Sequence, residues 1–301
     1  MISYHGNGQN ELHMVFNFPL MYTRHLTPKW IRSNQKERLK ALYAVSPTCW
    51  PCNTLGNHDS PRVYNRFGDG QHDAELARLH LALMLTLKGT PFLYNGEEIG
   101  MVDLRLTDID QFRDLVGVWQ YNAMIAELGL PKEIALAKAA ENSRDKNRTP
   151  NQWRNAPNAG FCPETVQPWL PVNPNYAQGV NVADQEMDPD SLLNFYNRML
   201  RVRKATLALQ YGDYHPLHET ASDYLAFLRT TEAQTCLVIL NYSDQRLKLD
   251  FQKTARKARI IYSNYKDEGL TMDLKSVSLN PFEIFIAQVT MESIHASSVE
   301  K

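Results

Sequence analysis

Residues Leu12 to Phe18 (LHMVFNF) form a short apolar run of the kind expected of a strand buried on both faces. Thr27 offers an N-cap with Pro28 at the first helical position, which predicts a helix carrying Trp30, Ile31, Leu39 and Leu42 to about Ala44. A short strand ending at Gly56-Asn57-His58-Asp59 follows. From Ala74 to Leu87, leucines 76, 79, 83 and 87 recur at three- and four-residue spacing, so a second helix is expected there, stopped by Gly89-Thr90-Pro91. Phe92-Leu93-Tyr94 reads as another buried strand, ended by Asn95-Gly96. This alternation of strand and helix implies right-handed crossovers and a parallel sheet. In α/β sheets and barrels the chemistry sits beyond the carboxyl ends of the strands. The polar clusters Asn57-His58-Asp59 and Asn95-Gly96-Glu97-Glu98 are therefore the functional candidates.

From Met101 to Asp190 the pattern changes to a long excursion with helical stretches near Asp110 to Leu128 and Pro131 to Asn142, then an Asn- and Pro-rich loop through Asn175. A loop of that length is usually functional or disordered, and its Trp153, Trp169 and arginines favour an ordered, site-covering loop. A helix from Asp190 to about Lys204 places Leu192, Phe195, Tyr196, Met199 and Leu200 on one side. Beyond Leu207 short β-type runs take over, at Tyr224 to Leu228, Cys236 to Leu240, Leu247 to Phe251, Arg259 to Tyr262 and Phe282 to Val289. That spacing reads as a small antiparallel sandwich, with a domain boundary close to Ala208.

Composition narrows the possible partners. The 301 residues suggest about two domains. With 43% hydrophobic and 22% charged residues the chain has the make-up of a globular protein. Its net charge of −1 leaves no global field to hold a polyanion, so nucleic acid is not an expected partner. No apolar run approaches the roughly 20 residues needed to cross a bilayer, so no membrane span is expected. Without a basic patch and apolar stretch near Met1, the expected compartment is the cytoplasm. Cys49 and Cys52 form a C-x-x-C, but neither a redox helix nor a second pair of zinc ligands accompanies it, and ordinary reduced thiols are expected.

Asn57-His58-Asp59 sets a carboxylate beside an imidazole, a pair able to hold vicinal sugar hydroxyls, although Asn and Asp are also common turn residues. The surrounding residues extend the pattern: Asn57-His58-Asp59-Ser60-Pro61-Arg62, Arg66-Phe67-Gly68, and Gly89-Thr90-Pro91-Phe92-Leu93-Tyr94-Asn95-Gly96-Glu97-Glu98-Ile99-Gly100-Met101. Arg144-Asp145, Arg148-Thr149-Pro150-Asn151-Gln152-Trp153, Gly160-Phe161, Pro168-Trp169 and Val172-Asn173-Pro174-Asn175-Tyr176 follow in order. Together they resemble glycoside hydrolase family 13, the α-amylase family, and within it bacterial α-glucosidases of the oligo-1,6-glucosidase type. Asn151 stands where a Met is common.

The resemblance implies an α/β plus β fold: the C-terminal part of a (β/α)8 TIM barrel, strands 6 to 8, followed by an antiparallel β-sandwich domain. Leu12 to Phe18 would be strand six, Asn53 to Gly56 strand seven and Phe92 to Tyr94 strand eight. Residues 1–207 would then hold the partial barrel with its long loop after strand 8, and 208–301 the sandwich. It also implies that Asp59 grips hydroxyls 2 and 3 of the sugar in subsite −1, that His58 shares this grip, and that Arg144 helps clamp the terminal glucose of short substrates. The family's nucleophile and general acid close strands four and five, which have no counterpart here, so the chain alone is expected to be inactive. A polypeptide supplying the other barrel half is one expected partner, and an α-glucosidic oligosaccharide, bound weakly, the expected ligand. Glu97 and Glu98 are expected to be structural rather than a new catalytic pair with Asp59. Arg62 and Arg148 are open between sugar contact and structural pairing with Glu97 or Asp145, and Trp153 and Trp169 between sugar stacking and rim packing. The calcium loop of some members has no counterpart and no D-x-D-x-D cluster occurs, so no metal and no cofactor are expected.

Overall fold

The computed structural model describes residues 2–7, 10–23 and 25–289. After a 3-10 turn at Ile2–His5 come a short helix α1 (Phe18–Tyr22) and a long α2 (Pro28–Val45). Pro28 fixes the first helical φ, and the Thr27 hydroxyl accepts from the Trp30 amide, satisfying one of the donors every helix start leaves open. β1 (Cys52–Thr54), α3 (Val63–Phe67), α4 (Asp73–Thr86) and β2 (Thr90–Phe92) follow. β1 and β2 pair in parallel, Cys52 opposite Thr90 and Thr54 opposite Phe92. The helices between them make one crossover unit.

The expected strand Leu12 to Phe18 is not one. Only Phe16 bridges to Cys52, and the chain turns helical at Phe18, where Pro19 suits a first turn and cannot serve a ladder. Leu12 and Phe16 remain exposed, so the run is apolar without being buried on both faces. The strand expected at Phe92 to Tyr94 begins two residues earlier. Thr90 donates its amide to Pro51 O, and Pro91, which has no donor, is accommodated in this two-stranded ladder.

A helical excursion carries α5 (Leu115–Ala126) and α6 (Lys132–Asn142), then short turns, α7 (Val182–Met187), α8 (Leu192–Ala205) and α9 (Leu207–Tyr211). The remaining strands are β3 (Asp213–Leu217), β4 (Tyr224–Thr230), β5 (Thr235–Asn241), β6 (Leu247–Leu249), β7 (Lys257–Ser263), β8 (Thr271–Asp273), β9 (Val277–Leu279) and β10 (Ile284–Val289). Six form an antiparallel sheet in the order β3-β4-β5-β10-β7-β8, and β6 pairs with β9.

Period-two alternation divides the sheet between two cores. Leu225, Phe227, Val238, Leu240, Ile284 and Ile286 join one cluster with Leu79 and Leu83 of α4 and Phe195 and Met199 of α8. Ala226, Leu237, Ile239, Phe285 and Ala287 join the other, with Phe251, Val277 and Leu279. All seven residues of β5 are buried, as a strand covered on both faces requires.

Two arginines tie this sheet and α8 to the end of α4. Arg229, fully buried, donates to Thr86 O and to Gly212 O, while Arg203 donates to Leu85 O and Gly89 O. Of these, Leu85 O and Thr86 O are carbonyls that the end of α4 leaves without intrahelical partners, shortly before β2. Among the described residues no helix is long and apolar enough to cross a membrane.

Candidate functional site

The turn after β1 is built to aim one carboxylate. Thr54 Oγ1 donates to Gly56 O, and a Cβ at Gly56 would collide with Glu97 Oε1, so a larger residue there would push the Glu97 carboxylate aside. Asn57 Oδ1 accepts the Asp59 amide at 2.9 Å, an Asx turn that presents Asp59 outward. The segment 144–148 straps this turn from above. Asn147 Nδ2 donates to Asn57 O at 3.0 Å and Arg148 Nε to His58 O at 2.8 Å.

Three cationic or potentially cationic groups surround the Asp59 carboxylate. Oδ1 accepts from Arg148 Nη2 at 2.6 Å and from Arg144 Nη1 at 3.2 Å, and Oδ2 lies 3.5 Å from His58 Nε2. Burial works to raise the Asp59 pKa, but the Arg148 hydrogen bond and the charges of His58, Arg148 and Arg144 outweigh it, and the carboxyl sits below its ordinary value. Asp59 therefore stays an acceptor throughout the neutral range.

Arg144 is itself held from behind. Its Nε and Nη2 form a fork on the two oxygens of Asp114 at 3.0 and 2.8 Å, and its own amide adds a third bond at 3.1 Å. Asp114 is buried, N-caps α5 through the Val116 amide, and has its pKa depressed foremost by the Arg144 side-chain bond, against the opposing pull of burial. Asp145 accepts the Arg113 and Asp114 amides, both at 2.7 Å, which fixes the approach of that loop.

Arg148 thus faces Asp59, and Asp145 is occupied by backbone donors. Arg62 is buried, donates to Asn95 O at 2.8 Å and lies over the Tyr94 ring, near but not hydrogen-bonded to Glu97. Glu97 is half-buried with its Oε1 shielded from solvent, and desolvation pushes its carboxyl up to about 8, while Glu98 accepts the Gly96 amide at 2.8 Å. Trp169 spends its indole N–H on Arg148 O at 3.1 Å and meets Phe161 edge-on, while Trp153 is half-exposed. Cys49 and Cys52 are buried and unbridged, and burial raises the Cys52 thiol to about 11. Among the described residues no three His, Cys, Asp or Glu side chains gather to hold a metal ion.

A cavity of about 310 Å³ opens at Asp59. His58, Asp59 and Tyr94 give it polar groups, and Phe16, Phe18, Tyr22 and Phe92 make an aromatic wall, with Phe16 and Phe92 edge to face at 5.1 Å. Ring faces beside a carboxylate, an imidazole and two guanidinium groups suit a ligand with an apolar face and a rim of hydroxyls. The aromatic wall and the Asp114 clamp are absent from the sequence-level candidates. Asp114 carries the local signal of an N-cap before Leu115-Val116, but that signal says nothing of its pairing with Arg144.

These features define an α/β protein with a carboxylate, two arginines and an aromatic wall gathered beyond a parallel strand. Residues 1–212 match the family described as alpha amylase, catalytic domain, and the chain belongs to that family. The chain is 34% identical over 292 residues to an oligo-1,6-glucosidase of Halalkalibacterium halodurans, covering 93% of this chain and 51% of the relative. It is 31% identical to an alpha-glucosidase of Pediococcus pentosaceus, covering 96% and 52%. Among solved structures, the trehalulose synthase MutB of Pseudomonas mesoacidophila superposes with a TM-score of 0.79 at 27% identity, over 96% of this chain and 53% of that one. The trehalose-6-phosphate hydrolase of Bacillus licheniformis superposes with 0.78 at 27% identity, over 96% and 54%. The chain spans about half the length of the curated relatives it matches.

Proposed function

We propose that this chain is part of an α-glucosidase-type glycoside hydrolase acting on α-glucosidic bonds of short oligosaccharides, and that its share of the work is to grip the sugar at the bond to be broken. The observation that carries this reading is the Asp59 carboxylate, kept ionised by Arg148, His58 and Arg144 at the mouth of an aromatic-walled cavity. In glycoside hydrolysis the ring flattens and gains positive charge, and bonds to its hydroxyls strengthen as it does so. An ionised acceptor at that place favours the transition state over the ground state. Arg144, locked by Asp114, offers donors of fixed direction to neighbouring hydroxyls.

Retaining hydrolysis also requires a nucleophilic carboxylate and a proton-donating carboxyl, about 5 to 5.5 Å apart. The ion-pair partners of Asp59 are cationic, and the Glu97 Oε1 is shielded from solvent. The chain alone is therefore a gripping unit; its parallel pair β1 and β2 is read as the seventh and eighth strands of the family barrel, and the antiparallel strands β3 to β10 as the sandwich that follows. Assay of the purified chain on p-nitrophenyl α-glucoside and isomaltose is expected to give no turnover. Turnover that persists through purification and disappears in Asp59→Ala would contradict this.

A second reading, a subunit that completes a barrel with another polypeptide, is favoured by the exposed rings of Phe16, Tyr22 and Phe92 beside a two-stranded parallel sheet. Co-expression with the adjoining upstream reading frame should then raise solubility and create glucosidase activity. No gain in either would dismiss it.

A further inference from the structure

A second cleft, of about 530 Å³, lies apart from the cavity at Asp59 and shares no lining residue with it. It lies between the segment leading into α5 and the loop 158–176. Trp169 and Tyr176 supply its rings, and Asp108, Asp110, Gln111 and Asn158 its polar groups. We infer that this cleft is a second carbohydrate site, which holds a short α-glucosidic oligosaccharide by ring stacking and hydroxyl hydrogen bonds. The choice of α-glucosidic ligand rests on the function proposed above; the location does not.

The chemistry of the lining carries the inference. Trp169 is 53% exposed although it is a large apolar side chain. Its only donor is already committed to Arg148 O and it meets Phe161 at nearly a right angle, and the ring surface that stays exposed lines the cleft. That surface complements the C–H face of a pyranose. The polar groups around it are the exposed carboxylates of Asp108 and Asp110, which accept from hydroxyls, and the half-buried amides of Gln111, which offers an Nε2 donor, and Asn158, which offers an Oδ1 acceptor. A cleft that joins ring surface to a few convergent polar groups, at a volume within the range of small-molecule sites, is a binding site by its construction.

The walls are also set in place before any ligand arrives. Asn158 and Ala159 hold positive φ of 53° and 52°, and Asn158 Nδ2 donates to Pro163 O and Val166 O at 3.0 Å each, pinning the far side of the loop. Opposite, Asp108 and Gln111 form a capping box, and Arg113 Nη1 donates to Asp110 O. Rigid walls lower the ordering cost of binding a flexible sugar.

Because Trp169 also donates to the Arg148 carbonyl and Arg148 pairs with Asp59, the two sites share one residue of the strap. The test therefore reads the cleft by its own signal. The Trp169 indole N–H resonance, assigned by its absence in Trp169→Phe, should move on titration of the whole chain with isomaltotriose or maltotriose. In Asp59→Ala it should move with the same midpoint. In Tyr176→Ala, whose backbone hydrogen bonds to Asn173 and Asn181 do not involve the ring, the midpoint should rise at least about tenfold, a ring contact being worth roughly a factor of ten. An indole signal that neither sugar moves overturns the inference, as does one that Asp59→Ala silences or whose midpoint Tyr176→Ala leaves unchanged. A response lost in Asp59→Ala but kept in Tyr176→Ala would leave the proposed function standing while removing the second site.

Discussion

Asp114→Asn removes one charge and almost no volume, and it isolates the clamp behind the site. The carboxylate accepts four hydrogen bonds, three from Arg144 and one from the Val116 amide. Asparagine remains a good N-cap, so the Val116 bond and the start of α5 should persist. What is lost is one limb of the fork on Arg144 and the charge that balances it. A hydrogen bond to a charged group contributes about 1.5–3 kcal/mol net, and Arg144, being partly exposed, recovers some of this from water. The expected loss of folding stability at pH 7 is about 1.5–2.5 kcal/mol.

The pH dependence gives the stronger check. The Asp114 carboxyl is depressed in the folded chain, so its contribution is complete above the unfolded value of about 3.9 and is lost as pH falls toward the folded value. The gap between the original chain and the variant should therefore be the same at pH 7 and pH 5 and narrower by about 1 kcal/mol at pH 3. Urea unfolding at the three pH values measures it. A gap below about 0.5 kcal/mol at pH 7, or one as wide at pH 3 as at pH 7, would refute the clamp.

Arg229→Leu keeps the bulk but strips the donors from Thr86 O and Gly212 O, and stability measured by urea should fall by about 2–4 kcal/mol; a loss under 1 would mean that those carbonyls find other donors. His80 is buried beside Phe67 and its pKa is lowered to about 3 by burial and by Arg66, so the unfolded chain takes up a proton between pH 6.5 and 3 that the folded chain refuses. Stability should accordingly decline by about 2 kcal/mol from pH 7 to pH 5 on this account, and His80→Phe should remove that part of the slope. Under native conditions at pH 7.5 iodoacetamide should label the partly exposed Cys162 well before the buried Cys52, whose thiol titrates near 11; mass spectrometry showing Cys52 modified first would contradict its burial.

Elements that rest on local rules were legible in the sequence, and those that rest on neighbours were not. The Thr27-Pro28 start of α2, the leucine spacing of α4 and the apolar runs of β5 and β10 each contain their own signal. Leu12 to Phe18 carries the composition of a buried strand, yet what an apolar run becomes depends on what lies beside it. Here its rings wall a cavity and only Phe16 is paired. β3 escaped notice because His215 and Pro216 break the β pattern, and β8 and β9 because three residues set no period. At the site, the order of motifs brought out His58, Asp59 and Arg144, but the partners of the arginines did not follow from their spacing. Asp145 is the nearer carboxylate to Arg148 in sequence, but backbone amides already occupy it, and Arg148 reaches across about ninety positions to Asp59. Asp114 lies 30 residues from Arg144, a distance that no local rule bridges.

The grip of Asp59 on sugar is most directly tested at His58, whose exposed ring lines the cavity beside it and takes no part in the second cleft. On titration with isomaltose the His58 ring proton resonances should shift in the original chain and stay still in Asp59→Ala. Shifts of equal size and midpoint in both, or none in the original chain at saturating sugar, would contradict the assignment of Asp59 as the group that holds the substrate.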